Sequence, residues 1–291
     1  MTEEIDSAGI TASLIILGIL FGSATLWIRH IQRTKDQIIP DMGALPWNIP
    51  WVDFLLFICA EVIIVIGVQA IGFHFLQDHI DAAENKLTPG LAIAAVLLLQ
   101  VPLIGVFYLA RKFFPQLYAS RLNTQSYSIG AALKEAVPLF IMFLPVIWIV
   151  TFTWGGLLSG LQAIGIIDEF PPQELIQLFQ SGGHPLAIAV LVIFAVILAP
   201  VVEEIIFRGC IYRFLKSKVS LVAAQVMSGA VFAVMHANLM SFLPLVIVGI
   251  ILARTYEKSG NLAVPMCFHA FFNGFSLLML FIMSHSTTLP Q

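Results

Sequence analysis

Residues 185–209 read PLAIAVLVIFAVILAPVVEEIIFRG. Pro185 to Val202 carry no charge, and Glu203, Glu204 and Arg208 then follow inside the same apolar run. About 20 apolar residues suffice to cross a bilayer, so the stretch reads as a transmembrane helix with ionisable groups buried in it. A charged side chain at a helix centre costs about 2.5–3.5 kcal/mol on insertion scales, which makes such groups functional candidates.

Seven more runs of the same kind surround it, giving eight spans at roughly 8–28, 51–73, 89–110, 136–163, 185–207, 219–236, 241–257 and 262–283. The runs are long and lack the ten-residue alternation of a barrel, and lipid forces the backbone to satisfy itself, so the expected fold is all-α and polytopic. Composition agrees: 59% of the 291 residues are apolar and only 11% are charged, against about a quarter in a soluble domain. Disorder requires the reverse balance. A net charge of −3 without a basic run gives no footprint for nucleic acid. Cys59, Cys210 and Cys267 show no CxxC spacing and read as small apolar residues rather than a disulfide framework or thiolate site.

Loops test the count. Arg29, Arg33 and Lys35 follow the first span; Arg111, Lys112, Arg121 and Lys134 the third; Arg208, Arg213, Lys216 and Lys218 the fifth; Arg254 and Lys258 the seventh. Of the basic residues only Lys86 lies on the other connections, which collect acids instead. The positive-inside rule therefore predicts an integral multi-pass protein with both termini non-cytoplasmic. The expected location is the cell membrane of a prokaryote. The first span follows Glu3, Glu4 and Asp6 rather than a basic segment, so it is expected to be a span and not a cleaved signal. Residues 168–184 are expected to form an external amphipathic helix. Residues 1–184 are read as an N-terminal membrane region and 185–283 as a C-terminal core.

Polar groups concentrate in that core. Glu204 and Arg208 are four apart on one helix face, the acid N-terminal as pairing favours. Glu203 lies about 100° round the helix, free to face something else. His236 follows Phe232 by one turn, and His269 and Asn273 stand four apart on the last span. Carboxylate, imidazoles and carboxamide are the parts of a hydrolase: a base for water, a partner to orient it, and donors for an oxyanion. Taken singly, each has a plainer reading as an interfacial ion pair, an interfacial anchor or a chance spacing. Glu203 and His236 come to equal height if a turn falls near Lys216 to Val219. Glu61, in the second span, reads as a bundle hydrogen-bonding group or an aid to water or substrate entry.

The run APVVEEIIFRG (Ala199 to Gly209), the FxxxH of Phe232 to His236, and GIILARTYEKSGNLAVPMCFHAFFN (Gly249 to Asn273) resemble the three motifs of the CAAX prenyl protease and bacteriocin-processing (CPBP) family of intramembrane glutamic endopeptidases. The resemblance covers about residues 185–283. It implies that Glu203 and His236 activate water, that His269 and Asn273 stabilise the oxyanion, and that Glu204 and Arg208 shape the site. It also implies a membrane-associated protein or peptide substrate, a prenylated CAAX protein being one option, and no cofactor. Two rivals remain: a zinc-dependent membrane metalloprotease with Glu203, His236 and His269 as ligands, and a non-catalytic scaffold, immunity protein or transporter.

Overall fold

A computed structural model describes residues 7–35, 43–82, 88–168 and 184–286. Among these there are helices and short connections and no strand. We number the long helices α1 (Ser7–Thr34), α2 (Trp51–Ala82), α3 (Pro89–Phe113), α4 (Ile129–Ala163), α5 (Pro185–Lys216), α6 (Leu221–Met235), α7 (Leu239–Ser259) and α8 (Ala263–Ser286). Seven of them are long and apolar enough to cross a membrane; α6 is apolar but has only 15 residues. The chain is an integral multi-pass membrane protein. The segment expected to form an external amphipathic helix lies, from residue 169 to 183, outside the described residues.

Helix ends are set by capping rather than by hydropathy. Thr88 Oγ1 accepts from Leu91 N, Ser128 Oγ from Ala131 N and Ser220 Oγ from Ala223 N, each satisfying one orphan donor of a first turn. Ser128 thus starts α4 at Ile129, seven residues before the apolar run expected at 136. The turn between α5 and α6 falls at Ser217–Ser220, in the predicted place.

α5 is not a regular helix. Its α-helical turn Ala199–Glu204 is flanked by two wider π-helical stretches, Phe194–Leu198 and Ile205–Tyr212. Wide turns of this kind recur at functional sites.

Two glycines let α6 and α7 cross closely. A Cβ on Gly249 would lie 2.5 Å from Gly229 Cα, and one on Gly229 would lie 2.7 Å from the Val246 carbonyl oxygen. Only hydrogen fits at either position. On the other flank, Ser23 Oγ and Trp27 Nε1 of α1 both donate to the Met142 carbonyl of α4, each at 3.0 Å. That carbonyl lies three residues ahead of Pro145, in a stretch weakened by the proline's missing N–H.

The Arg/Lys-rich end is closed by two connections from the first half of the chain. Residues 43–50 are held by Glu257, which accepts from Ala44 N, and by Lys216, Arg213 and Lys218, which donate to Ala44 O, Leu45 O and Asn48 Oδ1. Residues 119–127 grip the end of α7. Its C-cap Gly260 takes φ +64°, a left-handed value that suits glycine. The Gly260 carbonyl accepts from the Thr124 and Gln125 amides, while Asn261 Nδ2 reaches Gln125 O.

Candidate active site

Glu204 and Arg208 are both fully buried, and Arg208 Nη1 donates to Glu204 Oε1 at 2.8 Å. Arg208 Nη2 donates to the Gly249 carbonyl at 3.1 Å, a contact that the glycine crossing brings within reach. The guanidinium carbon lies 4.6 Å from the centroid of Phe232, whose ring face suits a cation.

The same Glu204 Oε1 lies 3.0 Å from His269 Nδ1. A carboxylate flanked by an arginine and an imidazole nitrogen accepts from both, so Nδ1 carries the proton and Nε2 points onward. Nε2 is 3.7 Å from Glu203 Oε2, and the Glu203 side chain is 20% exposed. Glu203 Oε2 is itself buried and has no hydrogen-bond partner among the described residues. The fold therefore treats the adjacent acids differently: Glu204 is fixed inside a chain of contacts, and Glu203 stands free at its edge.

His236 caps the end of α6 and is exposed. Its Nδ1 lies 2.7 Å from the Phe232 carbonyl, a group that can only accept, so Nδ1 donates and the Nε2 lone pair stays available. Phe232 joins the two imidazoles: its ring lies 4.5 Å from that of His236 and 5.6 Å from that of His269. The next residue, Ala237, has φ +47°, and Asn238 Oδ1 then caps α7 by accepting from Ser241 N. No direct hydrogen bond or ion pair joins His236 to Glu203 among the described residues.

Asn273, one turn beyond His269 on α8, donates Nδ2 to the Ala195 carbonyl at 2.8 Å. One of its two amide hydrogens is thereby used and the other is left.

All six residues singled out from the sequence thus lie on three helix ends or faces around Phe232 and the middle of α5. What sequence reasoning missed is the support: the Gly249 carbonyl under Arg208, the Ala195 carbonyl under Asn273, and Trp154 of α4, whose Nε1 donates to Leu239 O at 2.8 Å beside the His236 turn. Gly229, Gly249 and Pro200, out of place in helix interiors, were the available signals. Among the described residues, no group of three or more His, Cys, Asp or Glu side chains is arranged to hold a metal ion.

Residues 185–275 match the family model described as Type II CAAX prenyl endopeptidase Rce1-like. A protein of Bacillus subtilis (strain 168), "Putative membrane peptidase YdiL", is 31% identical over 93 residues, 32% of this chain and 38% of that protein. The chain spans less than half the length of this curated relative. No solved structure matches. The matched segment from 185 to 275 contains Glu203, Glu204, Arg208, His236, His269 and Asn273.

Proposed function

We propose, with the Rce1-like character of residues 185–275 as premise, that this protein is an intramembrane endopeptidase cleaving a membrane-associated protein or peptide. The observation that carries the reading is the contrast between the two acids. Glu204 is fully buried and engaged by Arg208 and His269, whereas Glu203 keeps an unpartnered oxygen beside His269 Nε2. Adjacent carboxylates in unlike environments suit unlike roles, one positioning and one taking protons.

In this mechanism Glu203 removes a proton from water, and the resulting hydroxide adds to the scissile carbonyl. His236, with Nδ1–H committed to Phe232 O, offers Nε2 to orient that water. The oxyanion is met by the second amide hydrogen of Asn273 and by His269. His269 donates there only when Nε2 is protonated, because Glu204 already holds its Nδ1. Collapse of the tetrahedral intermediate breaks the C–N bond, and Glu203 returns its proton to the leaving amine.

The Arg/Lys-rich loops support a cytoplasmic location for that end and non-cytoplasmic termini. The reading uses no metal. The test is the full chain in proteoliposomes with quenched peptide reporters of one sequence, farnesylated and not, alongside peptidomics of membranes with and without the protein. Glu203→Gln keeps shape and hydrogen bonding but not basicity, so turnover should vanish while folding and insertion persist. Near wild-type cleavage by that variant would sink the assignment. Stoichiometric zinc with chelator-sensitive turnover would move the chemistry to a metal site of Glu203, His236 and His269. A cellular role insensitive to Glu203→Gln would favour a scaffold.

A further inference from the structure

Pro200 sits within the α5 turn that leads to Glu203 and Glu204, directly after the π-helical stretch Phe194–Leu198. In that stretch the Ala199 amide bonds to the Phe194 carbonyl, a five-residue step. The bond removes Ala199 N from Ala195 O, its usual four-residue partner. The next available donor, five residues on, would be the amide of residue 200, and proline has none. The Ala195 carbonyl is therefore left without a helical donor. It is not left unsatisfied, because Asn273 Nδ2 reaches it from α8 at 2.8 Å.

We propose that Pro200 is a positioning residue for Asn273: by withholding an N–H it turns the Ala195 carbonyl into a fixed acceptor that orients the Asn273 carboxamide. That acceptor decides which end of the amide is nitrogen and which hydrogen remains for the reaction. Without it the carboxamide can rotate about its last side-chain torsion, which is broad and roughly two-fold, and present oxygen where a donor is needed. The consequence for catalysis rests on the oxyanion reading of Asn273 given above; the coupling between Pro200 and Asn273 does not.

The test is a double-mutant cycle on the full chain with Pro200→Ala and Asn273→Ala, read by unfolding in mixed micelles and by turnover of the peptide reporter. Pro200→Ala should fold at least as well as wild type, since a proline in a helix is unfavourable and the new amide supplies the missing donor. Asn273→Ala alone orphans the Ala195 carbonyl and should raise the unfolding equilibrium constant about tenfold or more. In the Pro200→Ala background the same change should have little effect on unfolding. An equal effect in both backgrounds overturns the coupling. On turnover, Pro200→Ala should lower kcat by about tenfold or more with KM unchanged, and adding Asn273→Ala should lower it little further. Wild-type kcat in a Pro200→Ala protein that shows the unfolding coupling overturns the positioning role and leaves the bond a structural one. If Asn273→Ala itself keeps wild-type kcat, the oxyanion reading falls, and the unfolding cycle still decides whether Pro200 and Asn273 are coupled.

Discussion

Arg208→Met retains an unbranched stem that ends near the Nε position while deleting the charge and both bonded donors. In the wild type Arg208 is fully buried, bonded to Glu204 Oε1 at 2.8 Å and to the Gly249 carbonyl at 3.1 Å. Removing one member of a buried ion pair costs about 3–5 kcal/mol, because the other charge is left without compensation. The methionine chain ends one atom short of the guanidinium carbon that lies over Phe232, so it keeps the packing of the Arg208 stem and loses that ring contact. The Gly249 carbonyl sits inside α7 and keeps its helical donor, so its loss of Arg208 adds little. The expected penalty is therefore about 4 kcal/mol, a large share of the ~5–15 kcal/mol that holds a typical native state. Glu204→Gln together with Arg208→Met leaves no unpaired charge and should cost only about 1–2 kcal/mol, less than the single change. Unfolding of the purified chain in mixed micelles measures both. A single-mutant cost below about 1 kcal/mol, or a double mutant less stable than Arg208→Met, refutes the account of Glu204 as a charged partner.

Gly249→Ala places a methyl 2.5 Å from Gly229 Cα and should destabilise the α6–α7 crossing by about 1–3 kcal/mol or more, with reduced turnover as Arg208 loses its carbonyl contact; wild-type stability would show that the helices can part freely. Both oxygens of buried Glu61 lack partners among the described residues, so Glu61→Leu should stabilise the chain by about 1–3 kcal/mol, and a lower melting temperature would reveal a partner outside them. Trp154→Phe deletes the N–H bonded to Leu239 O and should lower kcat severalfold through the His236 turn, with unfolding changed by about 1 kcal/mol or less. Unaltered kcat in that variant would separate Trp154 from the site.

The spans were legible because hydrocarbon leaves the backbone few choices: an apolar run of sufficient length must become a helix. The ionisable residues were legible for the same reason, since lipid makes each of them conspicuous. Boundaries were less so. α4 begins at Ile129 because Ser128 caps it, and α5 runs to Lys216, past the apolar run expected to end at 207, because loop carbonyls receive Arg213 and Lys216. α6 is the opposite case, 15 residues against the expected 219–236, because Ser220 caps it at Leu221 and the His236 side chain and Ala237 at φ +47° end it. Distances between non-local groups were not readable at all. Nothing in the order of residues says that Arg208 would meet the Gly249 carbonyl or that residues 43–50 would fold under Glu257. The first depends on how closely α6 and α7 cross, which Gly229 and Gly249 decide; the second joins a loop to side chains far away in the chain.

The shortness of α6 bears on the lipid itself. Fifteen residues rise about 22 Å, roughly 8 Å less than a typical hydrocarbon core. The exposed imidazole of His236 sits at the truncated end, next to exposed Val234 and Met235. A bilayer meeting such an element relieves the mismatch by thinning over it, which draws headgroups and their water down toward Glu203. Under the proposed hydrolysis, acyl-chain length then becomes a control on the site: thin bilayers hydrate the carboxylate readily, and thick ones hold water further from it.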